Sequence, residues 1–272
     1  MVSKVILITG ASSGIGFNTA KMLAEQGHKV YGAARRVENI EPLSPLGVTA
    51  IRMDVTDQAS MEAGVKAVIE AEGRIDVLIN NAGYGYFGAI ENVAMEDARR
   101  QIEVNVFGLA ALTKLVIPYM RVQRSGRIIN IASVAGKTVF QFGGWYHVSK
   151  YSVEALSDAL RIELKPFGID VCIIEPGAIK TDWGIIAADH LVESSRGTAY
   201  EKTADEQADT MRKAYTGNFI SSPQVISRAI SRAVNSSKPK TRYRTGFGSH
   251  TAVLAHHILP DRWWDAMMRG LF

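Results

Sequence analysis

The chain has 272 residues, of which 47% are hydrophobic, and one domain with a large buried core is the simplest organisation for such a chain. The formal net charge of +4 comes from scattered residues, and no run of lysine and arginine with interleaved aromatic residues indicates a nucleic-acid partner. The single Cys172 excludes an internal disulfide bond, the six histidines show no metal-ligand spacing, and no uninterrupted apolar stretch is long enough to span a bilayer. With no signal-peptide pattern at residues 1–8, these features predict a cytoplasmic protein.

Strand-like and helix-like segments alternate from residue 5 to about residue 176, which predicts repeated βαβ units on a parallel sheet. Strands are predicted near residues 4–9, 29–33, 49–53, 76–80, 127–131, 169–175 and 240–245, and helices near residues 15–26, 58–72, 95–121, 145–166 and 222–235. The expected fold is therefore α/β, a Rossmann-type doubly wound parallel sheet of about seven strands flanked by helices. No internal repeat or low-complexity linker occurs, so residues 1–272 are assigned to one domain.

A glycine-rich turn, Thr9-Gly10-Ala11-Ser12-Ser13-Gly14-Ile15-Gly16, follows the first predicted strand and opens the first predicted helix. Gly10 permits a tight turn, Gly14 lets the backbone approach a pyrophosphate, and Gly16 lets the helix pack closely on the strand. The alternative is an ordinary glycine turn of an α/β protein. The placement between strand and helix favours a dinucleotide site. Its predicted residues here are Gly10, Ser12, Ser13, Gly14, Ile15 and Gly16.

The end of the second predicted strand indicates which dinucleotide is bound. An acidic residue about 20 positions beyond the glycine motif holds the ribose 2′-hydroxyl of NAD. By register with the glycine loop, Ala34 stands at that place, and Arg35 follows it. A guanidinium suits a 2′-phosphate through charge-assisted hydrogen bonds, and Arg36 either contributes to them or faces solvent. The sequence therefore predicts NADP(H) as the cofactor.

Four side chains are candidates for catalysis. Tyr146 and Lys150 lie four residues apart, on one face of a predicted helix, and the Lys150 cation is expected to lower the phenol's pKa from about 10. Ser133 follows a predicted strand, where its hydroxyl would hydrogen-bond a substrate carbonyl, although a turn-capping serine is the alternative. Asn105 lies inside a predicted helix, where asparagine is unfavourable unless it has a specific partner, the alternative being a solvated residue.

These motifs together resemble the classical short-chain dehydrogenase/reductase family over nearly the whole chain. The motifs that carry the resemblance are Thr9-Gly10-Ala11-Ser12-Ser13-Gly14-Ile15-Gly16, Asn80-Asn81-Ala82-Gly83, Asn105, Ser133, the pair Tyr146 and Lys150, and Pro176-Gly177. The resemblance implies transfer of a hydride between a nicotinamide and a carbonyl or alcohol, with Tyr146 as general acid or base. It also implies a homodimer or homotetramer formed by the helices near 95–121 and 145–166.

The resemblance further assigns binding roles. Asp54 and Val55 would hold the adenine, although Asp54 is also a plausible helix cap. Ser133 would orient the substrate, Asn105 would hold a water linked to Lys150, and Lys150 would bind the nicotinamide ribose. The remaining predicted cofactor residues are Asn81, Ala82, Gly83, Pro176, Gly177, Ile179 and Thr181.

Residues 182–221 lose the alternation of strands and helices and are expected to form a substrate lid that orders on closure. Phe140, Phe142, Trp145 and Trp183 are candidates for an apolar substrate pocket. The tail resembles the 17β-hydroxysteroid and retinol dehydrogenase branch, which implies a lipophilic substrate. Pro260 is predicted to divide residues 250–272 into two short helices that cover the pocket or an interface, with Trp263 and Trp264 at least partly buried.

Two functions of different classes fit the sequence. The first is an active NADP(H)-dependent oxidoreductase acting on a carbonyl or alcohol. The second is a regulatory protein that senses the nucleotide without turnover. Because Ser133, Asn105, Tyr146 and Lys150 are all present, the sequence favours the enzyme.

Overall fold

The computed structural model describes residues 2–217 and 220–270. The strands are β1 (Val5–Thr9), β2 (Lys29–Ala34), β3 (Val48–Arg52), β4 (Val77–Asn80), β5 (Gly126–Ile131), β6 (Ile169–Pro176) and β7 (Arg242–Thr245). The α-helices are α1 (Gly14–Glu25), α2 (Gln58–Glu72), α3 (Met95–Ile102), α4 (Leu109–Gln123), α5 (Gly144–Leu164), α6 (Trp183–Ser195), α7 (Glu201–Thr216), α8 (Pro223–Asn235), α9 (Ser249–Ile258) and α10 (Asp261–Gly270). Short 3₁₀ turns occupy Val37–Asn39, Glu41–Leu46, Val134–Gly136 and Lys165–Phe167.

All seven strands are parallel and lie in the order β3-β2-β1-β4-β5-β6-β7. This is the predicted Rossmann-type doubly wound sheet. The strand order reverses between β1 and β4, and the crevice at the carboxyl ends of such strands is where α/β sheets bind ligands.

The sheet is covered on both faces. Side chains alternate along β1, so Ile6 and Ile8 join the core under α1 and α8, while Val5 and Leu7 join the core under α2, α4 and α5. A third apolar cluster, with Phe87, Tyr146 and Leu191 among its members, lies between the α6–α7 pair and the sheet edge.

The long helix predicted near 95–121 is divided. A π-helical segment, Glu103–Gly108, separates α3 from α4, and it contains Asn105. A π-helix inserts one extra residue per turn, which changes the face on which the following side chains lie. Composition carries no signal for such an insertion.

Residues 182–221, for which the sequence predicted no helix, contain the helical pair α6 and α7, and their role as a substrate lid stays a prediction. Asn218 and Phe219 lie outside the described residues. The two helices pack against each other, and small buried side chains lie on both of them. Ala187 and Ala188 on α6 are fully buried, as are Ala204 and Ala208 on α7. Alanine is a weak signal in an apolar pattern, so these buried positions do not mark the two helices in the sequence.

Within the described residues, one helical run, Met95–Gln123, is long and apolar enough to cross a membrane by length and composition alone. This differs from the expectation that no apolar stretch has that length. Leu112, Val116 and Met120 on this run are fully buried in the core beside the sheet. The core helix of a globular domain passes the same test, so the finding is weak evidence for a membrane segment.

Candidate active site

One cavity of about 1420 Å³ opens at the carboxyl ends of the central strands. Of the predicted site residues, 21 line it: Gly10, Ser12, Ser13, Gly14, Ile15, Arg35, Arg36, Asp54, Val55, Asn81, Ala82, Gly83, Ser133, Phe140, Tyr146, Lys150, Pro176, Gly177, Ile179, Thr181 and Trp183. Four predicted residues, Gly16, Asn105, Phe142 and Trp145, lie outside this lining.

The glycine loop forms a cradle at one end of the cavity. Gly10 and Gly14 adopt left-handed φ angles of +66° and +53°, which glycine alone adopts readily. A Cβ on Gly16 would lie 2.2 Å from the carbonyl oxygen of Gly10, so any side chain there would displace the loop. Gly16 therefore acts by close packing behind the cradle.

Asn81 holds the loop in this shape. Its Nδ2 donates to the carbonyl oxygens of Thr9 (2.9 Å) and Gly10 (3.2 Å), and its own N–H donates to the Thr9 hydroxyl (3.1 Å). Among the described residues no side chain caps α1 at Ser13, so the first N–H groups of this helix are available to an anion. The cradle fits a dinucleotide pyrophosphate.

The far end of the cradle carries positive charge. The exposed Arg35 and Arg36 follow β2, and the Arg35 carbonyl accepts a hydrogen bond from Arg52 (2.8 Å). Burial opposes ionisation of Asp54, but hydrogen bonds from Thr56, aided by Arg35, hold the Asp54 pKa below its ordinary value. Asp54 lines the cavity and accepts hydrogen bonds from Thr56. The cap of α2 is Asp57, whose side chain accepts from the N–H groups of Ala59 and Ser60, so the alternative of Asp54 as the helix cap is wrong.

Ser133, Tyr146 and Lys150 converge on the central wall. Ser133 lies close enough to Tyr146 for its side chain to lower the pKa of the phenol by hydrogen bonding. The Lys150 Nζ donates to the carbonyl oxygen of Ile131 (2.9 Å) and lies 5.8 Å from the centre of the Tyr146 ring. All three residues are buried, and α5 and the carboxyl end of β5 hold them together.

The pKa values of Tyr146 and Lys150 differ from the expectation that Lys150 lowers the pKa of the Tyr146 phenol. Burial raises the Tyr146 pKa above that of an ordinary phenol, and the hydrogen bond with Ser133 offsets only part of the increase. Burial also lowers the Lys150 pKa to about 8, against the opposing effect of the Glu154 carboxylate. The predicted lowering of the Tyr146 pKa by Lys150 is therefore wrong for the protein without its nucleotide, because desolvation is the largest effect on both groups.

Asn105 lies behind the wall and serves it indirectly. Its Nδ2 donates to the carbonyl oxygen of Tyr84 (2.9 Å) and to the Ser149 hydroxyl (3.0 Å), while its Oδ1 accepts from the Tyr84 N–H (3.0 Å). Gln101, one turn earlier, accepts a hydrogen bond from the Tyr86 N–H. The two amides anchor the segment 84–86, which lines the cavity, so the Asn105 side chain positions this loop.

The part of the cavity around Tyr146 is largely aromatic. The Tyr146 ring lies 5.0 Å from Trp183 and 5.8 Å from Phe87, measured between ring centres. The Phe140 ring packs on Phe87, and the Phe140 backbone N–H donates a hydrogen bond to His147 Nε2 (3.1 Å). An apolar group of a substrate would therefore lie beside the Tyr146 hydroxyl.

Phe142 is not part of this surface, and neither is Trp145. Phe142 has a φ of +62°, which turns its side chain into the buried cluster, where it meets Tyr200 edge to face. The prediction that Phe142 lines the pocket is wrong because this left-handed residue reverses the direction that an extended chain would give it.

Several cavity residues have no counterpart in the sequence prediction, namely Tyr84, Tyr86, Phe87, His190, Gln207, Thr210, Met211, Tyr215, Phe247 and Ala252. Gln207, Thr210 and Met211 recur at helical spacing on α7, and this pattern is the signal that could have found them. Gln207 is buried, and its Oε1 has no hydrogen-bond partner among the described residues.

The C-terminal helices cover one side of the cavity. Pro260 separates α9 from α10 as predicted, and Ala252 on α9 lines the cavity. The Trp264 side chain is only 5% exposed, and its Nε1 donates to the carbonyl oxygen of Val139 (3.0 Å), next to Phe140. Trp263 is 70% exposed, so the burial predicted for both tryptophans is confirmed for Trp264 and wrong for Trp263. Leu271 and Phe272 lie outside the described residues.

Comparison with known proteins agrees with this geometry. The short chain dehydrogenase family model matches residues 4–189. A probable short-chain type dehydrogenase/reductase of Helicobacter pylori is 34% identical over 97% of this chain and 96% of its own length. A 3-ketodihydrosphingosine reductase of Bacteroides thetaiotaomicron is 47% identical over 66% of each chain. The crystal structure of a short-chain dehydrogenase from Streptomyces avermitilis, 33% identical, superimposes with a TM-score of 0.81 and covers 100% of both chains.

The family model covers more than half of the chain, and the site has the nucleotide-binding cradle that a Rossmann-type oxidoreductase requires. The chain therefore belongs to the short-chain dehydrogenase family of oxidoreductases, which use nicotinamide cofactors.

Proposed function

We propose that this protein is an NADP(H)-dependent oxidoreductase that interconverts a lipophilic ketone or aldehyde and its alcohol. One observation carries the proposal. Ser133, Tyr146 and Lys150 line the same cavity as the glycine cradle, with an aromatic chamber beside the Tyr146 ring. A proton donor, an oxygen-binding hydroxyl and a nucleotide site would thus share one cavity.

The cofactor would lie along the cavity from the cradle to Tyr146. The first turn of α1 and the cradle would hold the pyrophosphate, Asp54 and Val55 the adenine, and Lys150 the nicotinamide ribose. Ile179 and Thr181 would contact the nicotinamide carboxamide, beside Pro176 and Gly177. When bound, the nicotinamide supplies or accepts the hydride.

Arg35 and Arg36 would select the 2′-phosphate of NADP(H). Ala34 stands in place of the acidic residue that would hold the free 2′-hydroxyl of NAD, and the two guanidinium groups that follow it offer charge-assisted hydrogen bonds to a phosphate. Arg52, which contacts the Arg35 carbonyl, adds a third positive charge at this end of the site.

The chain's own residues perform the proton transfer. In reduction, the Ser133 hydroxyl and the Tyr146 hydroxyl bind the carbonyl oxygen, and Tyr146 donates its proton as negative charge develops there. Because burial raises the Tyr146 pKa, the phenol is fully protonated at neutral pH and is ready to act as an acid. In oxidation, Tyr146 accepts the proton, so alkaline pH favours that direction.

The substrate chamber supports a lipophilic substrate. Phe87, Phe140, Trp183 and Met211 line it, and the nearby α9–α10 segment narrows its opening. The relative named 3-ketodihydrosphingosine reductase acts, by its name, on a long-chain ketone, which fits a chamber of this character. Steroid and retinoid carbonyls are further members of the same class.

A panel of carbonyl compounds tests the proposal. Purified protein is incubated with NADPH and, separately, with steroid, retinoid, long-chain and short-chain carbonyls, and the loss of NADPH absorbance is followed. We expect turnover that rises with the apolar surface of the substrate. Tight NADPH binding without turnover of any compound would instead favour the nucleotide-sensing regulatory protein.

We also propose a cytoplasmic homodimer or homotetramer. Apolar side chains remain exposed on the outer faces of the helices that would pair, with Phe107 58%, Val122 86% and Ile162 67% exposed. Burial of these residues against a second copy would remove them from water. Cys172 is buried and free, as expected in a reducing compartment.

A further inference from the structure

A buried ionic cluster lies directly behind Lys150. Two of its carboxylates, Glu154 on α5 and Glu175 at the end of β6, are 3% and 0% exposed. Arg242 on β7 contacts both of them, at 3.0 Å and 3.2 Å, and Arg244 contacts Glu175 at 2.7 Å. Burying charged pairs adds little net stability compared with apolar packing, so such a cluster calls for a second explanation.

Glu154 is the member of this cluster nearest to Lys150 along the chain. It follows Lys150 by four residues on α5, which places the two side chains on one face of the helix. Gly136 packs against both positions, because a Cβ there would lie 2.8 Å from the Lys150 carbonyl oxygen and 3.0 Å from Glu154 Cγ. No residue larger than glycine fits between the loop after β5 and this helical turn, so the close packing excludes solvent from the turn.

Other charged or titratable groups face this turn from the elements packed against it. From α5 they are Tyr146 and Asp158, from the loop after β5 Lys137, from β6 Glu175, and from β7 Arg242 and Arg244. Lys137 contacts Glu154 at 2.9 Å, while Asp158 binds Arg242 at 2.6 Å from one turn farther along α5. Glu154 Oε1 is buried without a hydrogen-bond partner among the described residues, so this carboxylate is not fully satisfied by its neighbours.

We propose that Glu154 is a positioning residue for the reaction, whose buried carboxylate keeps the Lys150 side chain in its ammonium form. The inference rests on the proposed function of Lys150 as the group that binds the nicotinamide ribose. Without a nearby negative charge, a buried amine loses its proton more easily and offers fewer hydrogen-bond donors. In agreement, the Glu154 carboxylate opposes the effect of burial on the Lys150 pKa.

The test measures the Lys150 titration directly in the nucleotide-free protein. Lysine labelled with ¹³C at Cε is introduced, and the Lys150 resonance is assigned by its loss in Lys150→Met. The parent resonance should titrate near pH 8. In Glu154→Gln, which keeps the shape and removes the charge, the midpoint should fall by about one pH unit. The alkaline limb of kcat/KM for carbonyl reduction should move by the same amount.

Asp158→Asn is the matched control. This substitution removes the other carboxylate of α5 that binds Arg242. Because Asp158 lies two turns from Lys150, the titration midpoint of the Lys150 resonance in this variant should match that of the parent. Equal midpoints for the parent and Glu154→Gln, or equal shifts for Glu154→Gln and Asp158→Asn, would overturn the proposal. The titration needs no turnover, so it gives its answer even if the panel of carbonyls reveals no activity.

A second variant covers the case in which Glu154→Gln does not fold. Lys137→Met removes the ammonium group beside Glu154 at a side chain that is 30% exposed. The negative charge of Glu154 is then no longer partly neutralised by the Lys137 ammonium group, so the titration midpoint of Lys150 should rise. A midpoint that fell or stayed constant would contradict the proposal.

Discussion

Replacement of Arg35 tests the basis of cofactor selection. Arg35→Ser removes a guanidinium at the end of β2 where the cavity begins and leaves the strand backbone unchanged. A hydrogen bond to a charged group contributes about 1.5–3 kcal/mol, which corresponds to about 10- to 150-fold in affinity. Since Arg35 is exposed and screened by solvent, we expect the lower part of this range.

The assay is the dissociation constant of NADPH and of NADH, measured by calorimetry at low and high salt. Affinity for NADPH should fall about tenfold in Arg35→Ser, and affinity for NADH should stay near the parent value. The loss should shrink as salt increases, because salt screens the phosphate contact.

Arg36→Ser removes the same charge one residue farther along the chain, so a comparable loss of NADPH affinity in it would show that Arg36 shares the phosphate contact, and no loss would show that it faces solvent. Adding Ala34→Asp to Arg35→Ser should turn the preference towards NADH, since the new carboxylate accepts from a 2′-hydroxyl and repels a phosphate. Equal losses for NADPH and NADH in Arg35→Ser would refute this account of selectivity.

Three other predictions concern the lysine, the tail and the assembly. The pKa of the Lys150 amine is about 8 in the folded state and 10.5 in the unfolded state, so below pH 8 the Lys150→Met variant should have a free energy of unfolding about 3 kcal/mol higher than the parent. This gain should vanish by pH 10.5, as measured by denaturant titration of the nucleotide-free protein. Trp264→Ala should raise KM and increase the hydrogen exchange of α10, whereas Trp263→Ala should change neither. Equal effects of the two variants would contradict the role of the hydrogen bond from Trp264 to the Val139 carbonyl in holding α10. Light scattering at micromolar concentration should give a dimer or tetramer, and Val122→Asp should weaken it; a monomeric parent would exclude the proposed interface.

The sequence predicted the sheet and most of the site because both depend on local patterns. Apolar runs such as Val5–Thr9 fall at the predicted strands, and each strand leads into a loop that carries a site residue. Since parallel strands bring their carboxyl ends to one edge, Gly10, Ser133 and Pro176 had to meet once the strand order was known.

The remaining features depend on tertiary packing. The α6–α7 pair buries alanines, which give little apolar signal in the sequence, and the π-helical insertion before α4 leaves no compositional trace. The left-handed φ of Phe142 redirects a ring that the sequence placed in the pocket. The pKa of Tyr146 rises because the folded chain buries it, an effect that the spacing to Lys150 does not contain.

The most direct measurement of the central claim is the turnover of Tyr146→Phe together with its affinity for NADPH. The substitution keeps the ring that packs against Phe87 and Trp183 and removes only the hydroxyl. If Tyr146 donates the proton, kcat for carbonyl reduction should fall by about 10²- to 10⁴-fold while the dissociation constant of NADPH stays at the parent value. A variant that turns over within a few-fold of the parent, with NADPH still bound, would contradict the assignment of Tyr146 as the acid.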